Sequence, residues 1–124
     1  MSEQMDDLAK YIDLLGEEVT VTIDRPLGST HPELRFSYEA NYGYVPGTRA
    51  GDGHEIDAWV LGVDRPLESY KGVCVAIIMR YNDNEHKLVV SEAPLSRSEI
   101  RAQTGFVEAH YESEIILLEG HEEG

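Results

Sequence analysis

The sequence predicts a mainly β, α+β protein: a small closed or nearly closed barrel of four or more strands with a helix at each end. Three observations lead there. Apolar residues alternate at period two over residues 19–23 and 57–63, and a uniformly apolar run fills 72–81. Helical spacing is confined to the two ends. The regular strand–helix–strand alternation that builds a doubly wound sheet is missing.

Met5, Leu8, Ile12 and Leu15 fall on one helical face and Gly16 follows as a stop, which predicts a short amphipathic first helix. Val19, Val21 and Ile23 alternate with Thr20 and Thr22, as in a half-buried strand that Pro26 and Gly28 end. Residues 28–49 are broken by Pro32, Gly43, Pro46 and Gly47 and rich in tyrosine, so loop and short strand are expected there. Residues 57–63 and 72–81 read as strands, the second so apolar that both its faces should be covered. A polar tip from Asn82 to Glu85 turns the chain into a returning strand at 88–90, with 80–87 forming the end of a hairpin. Ser96 and Glu99 form a capping box, and Ile100, Val107 and Tyr111 share a helical face, predicting a helix over 97–113. The tetrapeptide Asp-Arg-Pro-Leu occurs at 24–27 and again at 64–67, each time after an alternating strand, and reads as one strand-exit turn used twice.

The chain has 124 residues, the size of one domain, and 24 acidic against 10 basic residues give it a formal charge of −14. Such a surface repels the phosphate backbone of nucleic acid and anionic lipid, so neither is an expected partner. Much of the acid lies in residues 1–18 and 108–123, where it also serves solubility. The single cysteine, Cys74, sits in an apolar run and reads as a small buried hydrophobe, with no intramolecular disulfide. The acidic start is the reverse of a signal peptide, and no apolar stretch approaches the about 20 residues that span a bilayer. A soluble cytoplasmic protein is the expectation.

Chemistry concentrates in Asp52-Gly53-His54-Glu55-Ile56-Asp57. Two carboxylates flanking a glycine bend can converge as oxygen ligands for a hard divalent cation, with Asp83 and Glu85 of the hairpin tip completing the cage. The same pattern is also that of a solvated turn. In Asn41-Tyr42-Gly43-Tyr44, with Tyr38 just before, tyrosine hydroxyls can donate to phosphate oxygens or hold a water, or the rings can simply pack over a barrel mouth.

Taken in order and spacing, Asn41-Tyr42-Gly43-Tyr44, then Asp52 to Ala58, then Lys87-Leu88-Val89 resemble the core of the soluble, magnesium-dependent inorganic pyrophosphatases. The resemblance covers roughly residues 19–90, with a weaker echo in 106–111. It implies a five-stranded barrel of the oligonucleotide-binding type with flanking helices, and hydrolysis of pyrophosphate to two phosphates with several divalent ions. By the resemblance, Asp52, Asp57 and Glu85 are metal ligands and Asp83 is a second hairpin ligand. Lys87 holds a phosphate oxygen, Tyr42 sits beside the attacking water, and Tyr111 touches the distal phosphate. Asp24 corresponds to an acidic residue near the metals. Family members commonly assemble, which leaves a homo-oligomer open alongside a monomer.

Three departures bear on chemistry. The central aspartate of the metal motif is replaced by His54; imidazole can act as a base near neutral pH, and it favours manganese, cobalt or zinc over magnesium if it binds metal. The segment between Asp24 and Tyr38 is short and lacks the family's substrate-clamping cations, leaving Arg25 and Arg35 as the local replacements. Glu112 stands where the family has a phosphate-binding lysine. The expected function is metal-dependent hydrolysis of pyrophosphate or a related small phosphoanhydride. The alternative is a pyrophosphatase-like module, weak or inactive in turnover, that binds metal, nucleotide or protein.

Overall fold

The structure is a computed structural model that describes residues 3–50, 53–81 and 85–118. Its order is α1 (Glu3–Leu14), β1 (Glu18–Arg25), β2 (Asn41–Val45), β3 (Ile56–Val60), β4 (Ser69–Arg80), β5 (Lys87–Ser91), α2 (Arg97–Glu108) and β6 (Ser113–Leu117). The sheet runs β1-β2-β3-β5-β4-β6, and a further β1–β4 pairing closes its first five strands into a barrel. All pairings are antiparallel except β3–β5. The closed five-stranded barrel with two helices is the expected architecture.

Two apolar clusters follow from period-two alternation. Val21, Ile23, Ala58, Val60, Cys74, Ile77, Leu88 and Val90 point inward and fill the barrel. Trp59, Val75, Ala76, Ile78 and Val89 point outward, against Ile100 of α2 and Ile115 of β6. A bulge between Cys74 and Ala76 lets one strand supply both clusters, since it turns Val75 and Ala76 to the same side. Strand β4 is therefore covered on both faces, as its composition requires.

Two sequence expectations need correction. In α1 Tyr11 is buried, at 1% exposure, while Ile12 is 46% exposed. The Tyr11 ring joins the barrel core and packs edge-on against His86, 5.2 Å between centroids, which sets the helix's rotation. The second helix stops at Glu108 instead of reaching residue 113, and 113–117 forms β6. The capping box at its start is present, with Glu99 N–H donating to Ser96 Oγ at 3.1 Å and Ser96 N–H to Glu99 Oε1 at 2.9 Å. The stop has a tertiary cause: the C-terminal half of β4 presents unpaired backbone groups, and the apolar Ile115, Ile116 and Leu117 both satisfy and cover them.

The repeated Asp-Arg-Pro-Leu turns are joined through one side chain. Asn41, fully buried, accepts the N–H of Leu27 and of Leu67 on its Oδ1, each at 3.0 Å, and donates from Nδ2 to the Arg65 carbonyl at 3.0 Å. Leu27 and Leu67 are the equivalent last residues of the two repeats. Replacing Asn41 with alanine leaves two amide donors and one carbonyl without this partner and is expected to cost about 2–4 kcal/mol. The check is urea denaturation, read as a lower midpoint at unchanged slope. Beside it, Gly43 is obligatory, because a Cβ there would lie 1.8 Å from the Thr22 carbonyl oxygen. No helix among the described residues is long and apolar enough to cross a membrane.

Candidate functional site

Alternation places Asp57 and Trp59 on the outer face of β3, because Ala58 and Val60 take the inner one. On the neighbouring strands Tyr42 pairs opposite Trp59, and Lys87 precedes Leu88, the partner of Ala58. Tyr42, Asp57 and Lys87 thus meet on the barrel's outer wall. Lys87, 4% exposed in its side chain, donates from Nζ to Asp57 Oδ2 at 2.8 Å and to the Tyr42 hydroxyl at 2.8 Å, and lies 3.9 Å from Glu85 Oε1. Burial pushes the Tyr42 phenol well above its ordinary value, and the Asp57 charge and the hydrogen bond to it add to the rise. Tyr42 is therefore a fixed hydroxyl that receives from Lys87 and gives to Asp57, and does not serve as a base.

A second bulge, between Ile23 and Arg25 of β1, turns its end toward the same wall. Arg25 pairs opposite Tyr42 and hydrogen-bonds the Tyr38 hydroxyl. Asp24, the extra residue, lies close enough to Asp57 to feel its charge: burial raises the Asp24 carboxyl, Arg25 lowers it, and Asp57 raises it further. Asp24, Arg25, Tyr42, Asp57, Glu85 and Lys87, all legible in the sequence, are therefore brought together.

Other expected residues are placed differently. His54 is exposed on the bend before β3, where its carbonyl accepts the Ala50 N–H at 2.7 Å. Arg35 is exposed on the 31–36 loop with a left-handed backbone, φ 69°. Tyr111 follows α2, 38% exposed, with its ring 3.8 Å from the Arg80 guanidinium carbon. Glu112 is exposed beside it. Asp52 and Asp83 lie outside the described residues.

Sequence reasoning missed the support beneath this site. Arg80 grips Glu108 with Nε to Oε1 and Nη2 to Oε2, both at 2.9 Å, and Trp59 Nε1 donates to the same Oε2 at 3.1 Å. Both charged side chains are at most 5% exposed. The available signal was positional: Glu108 lies one turn beyond Thr104 and two beyond Ile100 on the helix's buried stripe, and Arg80 ends a wholly apolar run.

Above the pair opens a cleft of about 460 Å³ with predominantly aromatic walls. The 28–38 segment that forms one wall is an ordered turn, tied by a Thr30–Ser37 bridge and by the His31 N–H donating to the Phe36 carbonyl at 2.8 Å. His31 Nδ1 accepts the N–H groups of Glu33 and Leu34, at 3.1 and 2.9 Å, so the neutral ring carries its proton on Nε2.

The cluster offers a buried ammonium, Lys87, and a half-buried guanidinium, Arg25, for a phosphate oxygen, and carboxylates for a cation. Among the described residues, no three His, Cys, Asp or Glu side chains are grouped to hold a metal ion. One Asp57 oxygen is engaged by Lys87. The described donors therefore do not make a metal cage by themselves.

No protein-family model matches the chain, and no curated protein matches it. Solved structures do. The chain is similar to the inorganic pyrophosphatase of Ehrlichia chaffeensis, at TM-score 0.66 and 16% identity, over 84% of this chain and 88% of that one. The Helicobacter pylori inorganic pyrophosphatase matches at TM-score 0.63 and 19% identity, over 84% and 86%. The Neisseria gonorrhoeae inorganic pyrophosphatase matches at TM-score 0.51 and 21% identity, over 67% of this chain and only 59% of that one. At these identities the likeness is one of fold, and the chain has the barrel fold of the bacterial inorganic pyrophosphatases.

Proposed function

We propose that the protein hydrolyses a phosphoanhydride, inorganic pyrophosphate in the first instance, with a divalent cation. The observation that carries this reading is the buried Lys87 ammonium held by Asp57 and Tyr42 on the outer wall of a pyrophosphatase-type barrel. In this reading Lys87 and Arg25 bind phosphate oxygens and take up charge that builds on the leaving phosphate. Tyr42 fixes the position of Lys87, and Tyr111 and Arg35 are assigned to the distal phosphate. Water attacks one phosphorus as the bond to the bridging oxygen breaks, and His54 is assigned as the base that receives the proton. Magnesium is the proposed cation, with manganese, cobalt or zinc as rivals through His54. Its ligands would be Asp52, Asp57, Asp83 and Glu85, and it would supply charge neutralisation and a more acidic water. One domain over residues 1–124, a cytoplasmic setting and a small-molecule substrate without nucleic acid or membrane belong to the same proposal; the charge of −14 supports the exclusion of nucleic acid and anionic lipid surfaces.

The test is phosphate release from pyrophosphate with each of the four cations and with chelator. Release with at least one cation and its loss on chelation are expected, together with a fall of about 100-fold in Lys87→Met. Background rates with every cation, on pyrophosphate and on a nucleoside diphosphate alike, would remove the hydrolase reading. The engagement of Asp57 by Lys87 and the short described donor set favour the second reading in that event, a binding module on the same barrel.

A further inference from the structure

Phe36, Tyr38, Trp59, Phe106 and Tyr111 wall the 460 Å³ cleft, and Tyr42 joins it to the polar cluster. The Tyr42 ring lies 4.6 Å from Trp59 between centroids while its hydroxyl holds Lys87 at 2.8 Å. The apolar chamber thus adjoins the groups assigned to phosphate through two of its wall tyrosines, Tyr42, whose hydroxyl accepts from Lys87, and Tyr38, which hydrogen-bonds Arg25. Its volume falls in the range of about 300–1,000 Å³ that encloses a whole organic ligand, more than a bare pyrophosphate fills. Fixed charge does not favour a bare polyanion either. Lys87 and Arg25 stand against Asp24, Asp57 and Glu85, and Arg80 is matched by Glu108. Leu34, 72% exposed, adds an apolar residue to the cleft wall without packing of its own to explain it.

We infer that the preferred substrate is a phosphoanhydride carrying a planar aromatic group, of the nucleoside diphosphate class, with its base in this cleft and its phosphates at Lys87 and Arg25. The inference rests on the hydrolase reading above and names the substrate of that same site. Stacking on aromatic walls supplies the binding that the nearly balanced charges do not. Water attacks the terminal phosphorus and the bridging P–O bond breaks. The bridging oxygen leaves with the nucleoside monophosphate, and the proton lost by water passes to the buffer through the base.

Trp59 is the only tryptophan in the chain, so its fluorescence reports on this cleft. Titrations with adenosine, adenosine diphosphate and pyrophosphate are run beside phosphate release from the last two. Adenosine and adenosine diphosphate are expected to quench Trp59, and adenosine diphosphate to release phosphate with a higher kcat/KM than pyrophosphate. Phe36→Ala is expected to weaken adenosine diphosphate binding about tenfold. Leu34→Glu, at an exposed side chain, tests the same wall without disturbing packing and is expected to weaken it severalfold. Unchanged Trp59 emission with both adenine compounds overturns the inference while pyrophosphate release can still uphold the hydrolase reading. Quenching with release from pyrophosphate alone also overturns it. Quenching with release from neither compound overturns the hydrolase reading, and the substrate role with it.

Discussion

Replacing Glu108 with alanine is expected to destabilise the fold by about 3–5 kcal/mol, the largest effect of any single substitution in this site. The Arg80 guanidinium is 5% exposed and makes two 2.9 Å bonds to this one carboxylate, so removing it takes both bonds and the balancing charge from a cation with little access to water. Trp59 loses its Nε1 acceptor in the same step. The pair also joins α2 to the end of β4, so the α2 and β6 cover over the outer wall should loosen. The control is the double replacement Arg80→Met with Glu108→Leu, which removes both charges and keeps volume. It is expected to recover most of the loss, because a buried ion pair contributes little net stability over a packed apolar pair. Thermal or denaturant unfolding of the parent and the two variants checks this. Equal losses in the single and the double variant would show that packing at these positions, and not the unbalanced charge, sets the cost.

Asp57→Asn is expected to lower phosphate release from pyrophosphate by at least about 100-fold while the barrel stays folded. Asn is close in shape and can still accept from Lys87 Nζ, so the arrangement survives. What disappears is the negative charge that balances the Lys87 ammonium and, in the proposed function, contributes an oxygen to the cation. The stability change should stay near 1–2 kcal/mol, well below that of Glu108→Ala, because Asp57 is 38% exposed and Glu85 remains 3.9 Å from Lys87. Circular dichroism and a denaturant midpoint establish the fold, and a phosphate-release assay reads the chemistry. Parent-like release by a folded mutant would remove Asp57 from the proposed mechanism.

The contrast between these carboxylates shows what can be read before folding. Asp57 was legible because it sits in an acidic, glycine-containing segment at the mouth of a clear strand, and its motif resembles a known one. Lys87 and Tyr42 were legible by the same route. Glu108 was not: in a chain with 24 acidic residues, one glutamate near a helix end looks like surface. Only its partner, 28 residues away on β4, makes it structural. Tyr38, Phe36 and Phe106 were likewise visible as aromatics but not as one cleft, since they come from a turn and a helix that meet only across the barrel wall.

By itself the sequence determined the local terms: period-two strands, the Ser96 capping box, a covered β4 and a buried Cys74 without a disulfide partner. These depend on residues a few positions apart, where propensity and alternation act directly. The tertiary structure alone decided that β1 closes on β4, that 113–117 pairs as a strand, that the site lies on the outer wall, and which charges meet. Those outcomes depend on strand register and two bulges, each fixed by contacts between distant segments. A shift of one residue would send every side chain of a strand to the opposite face.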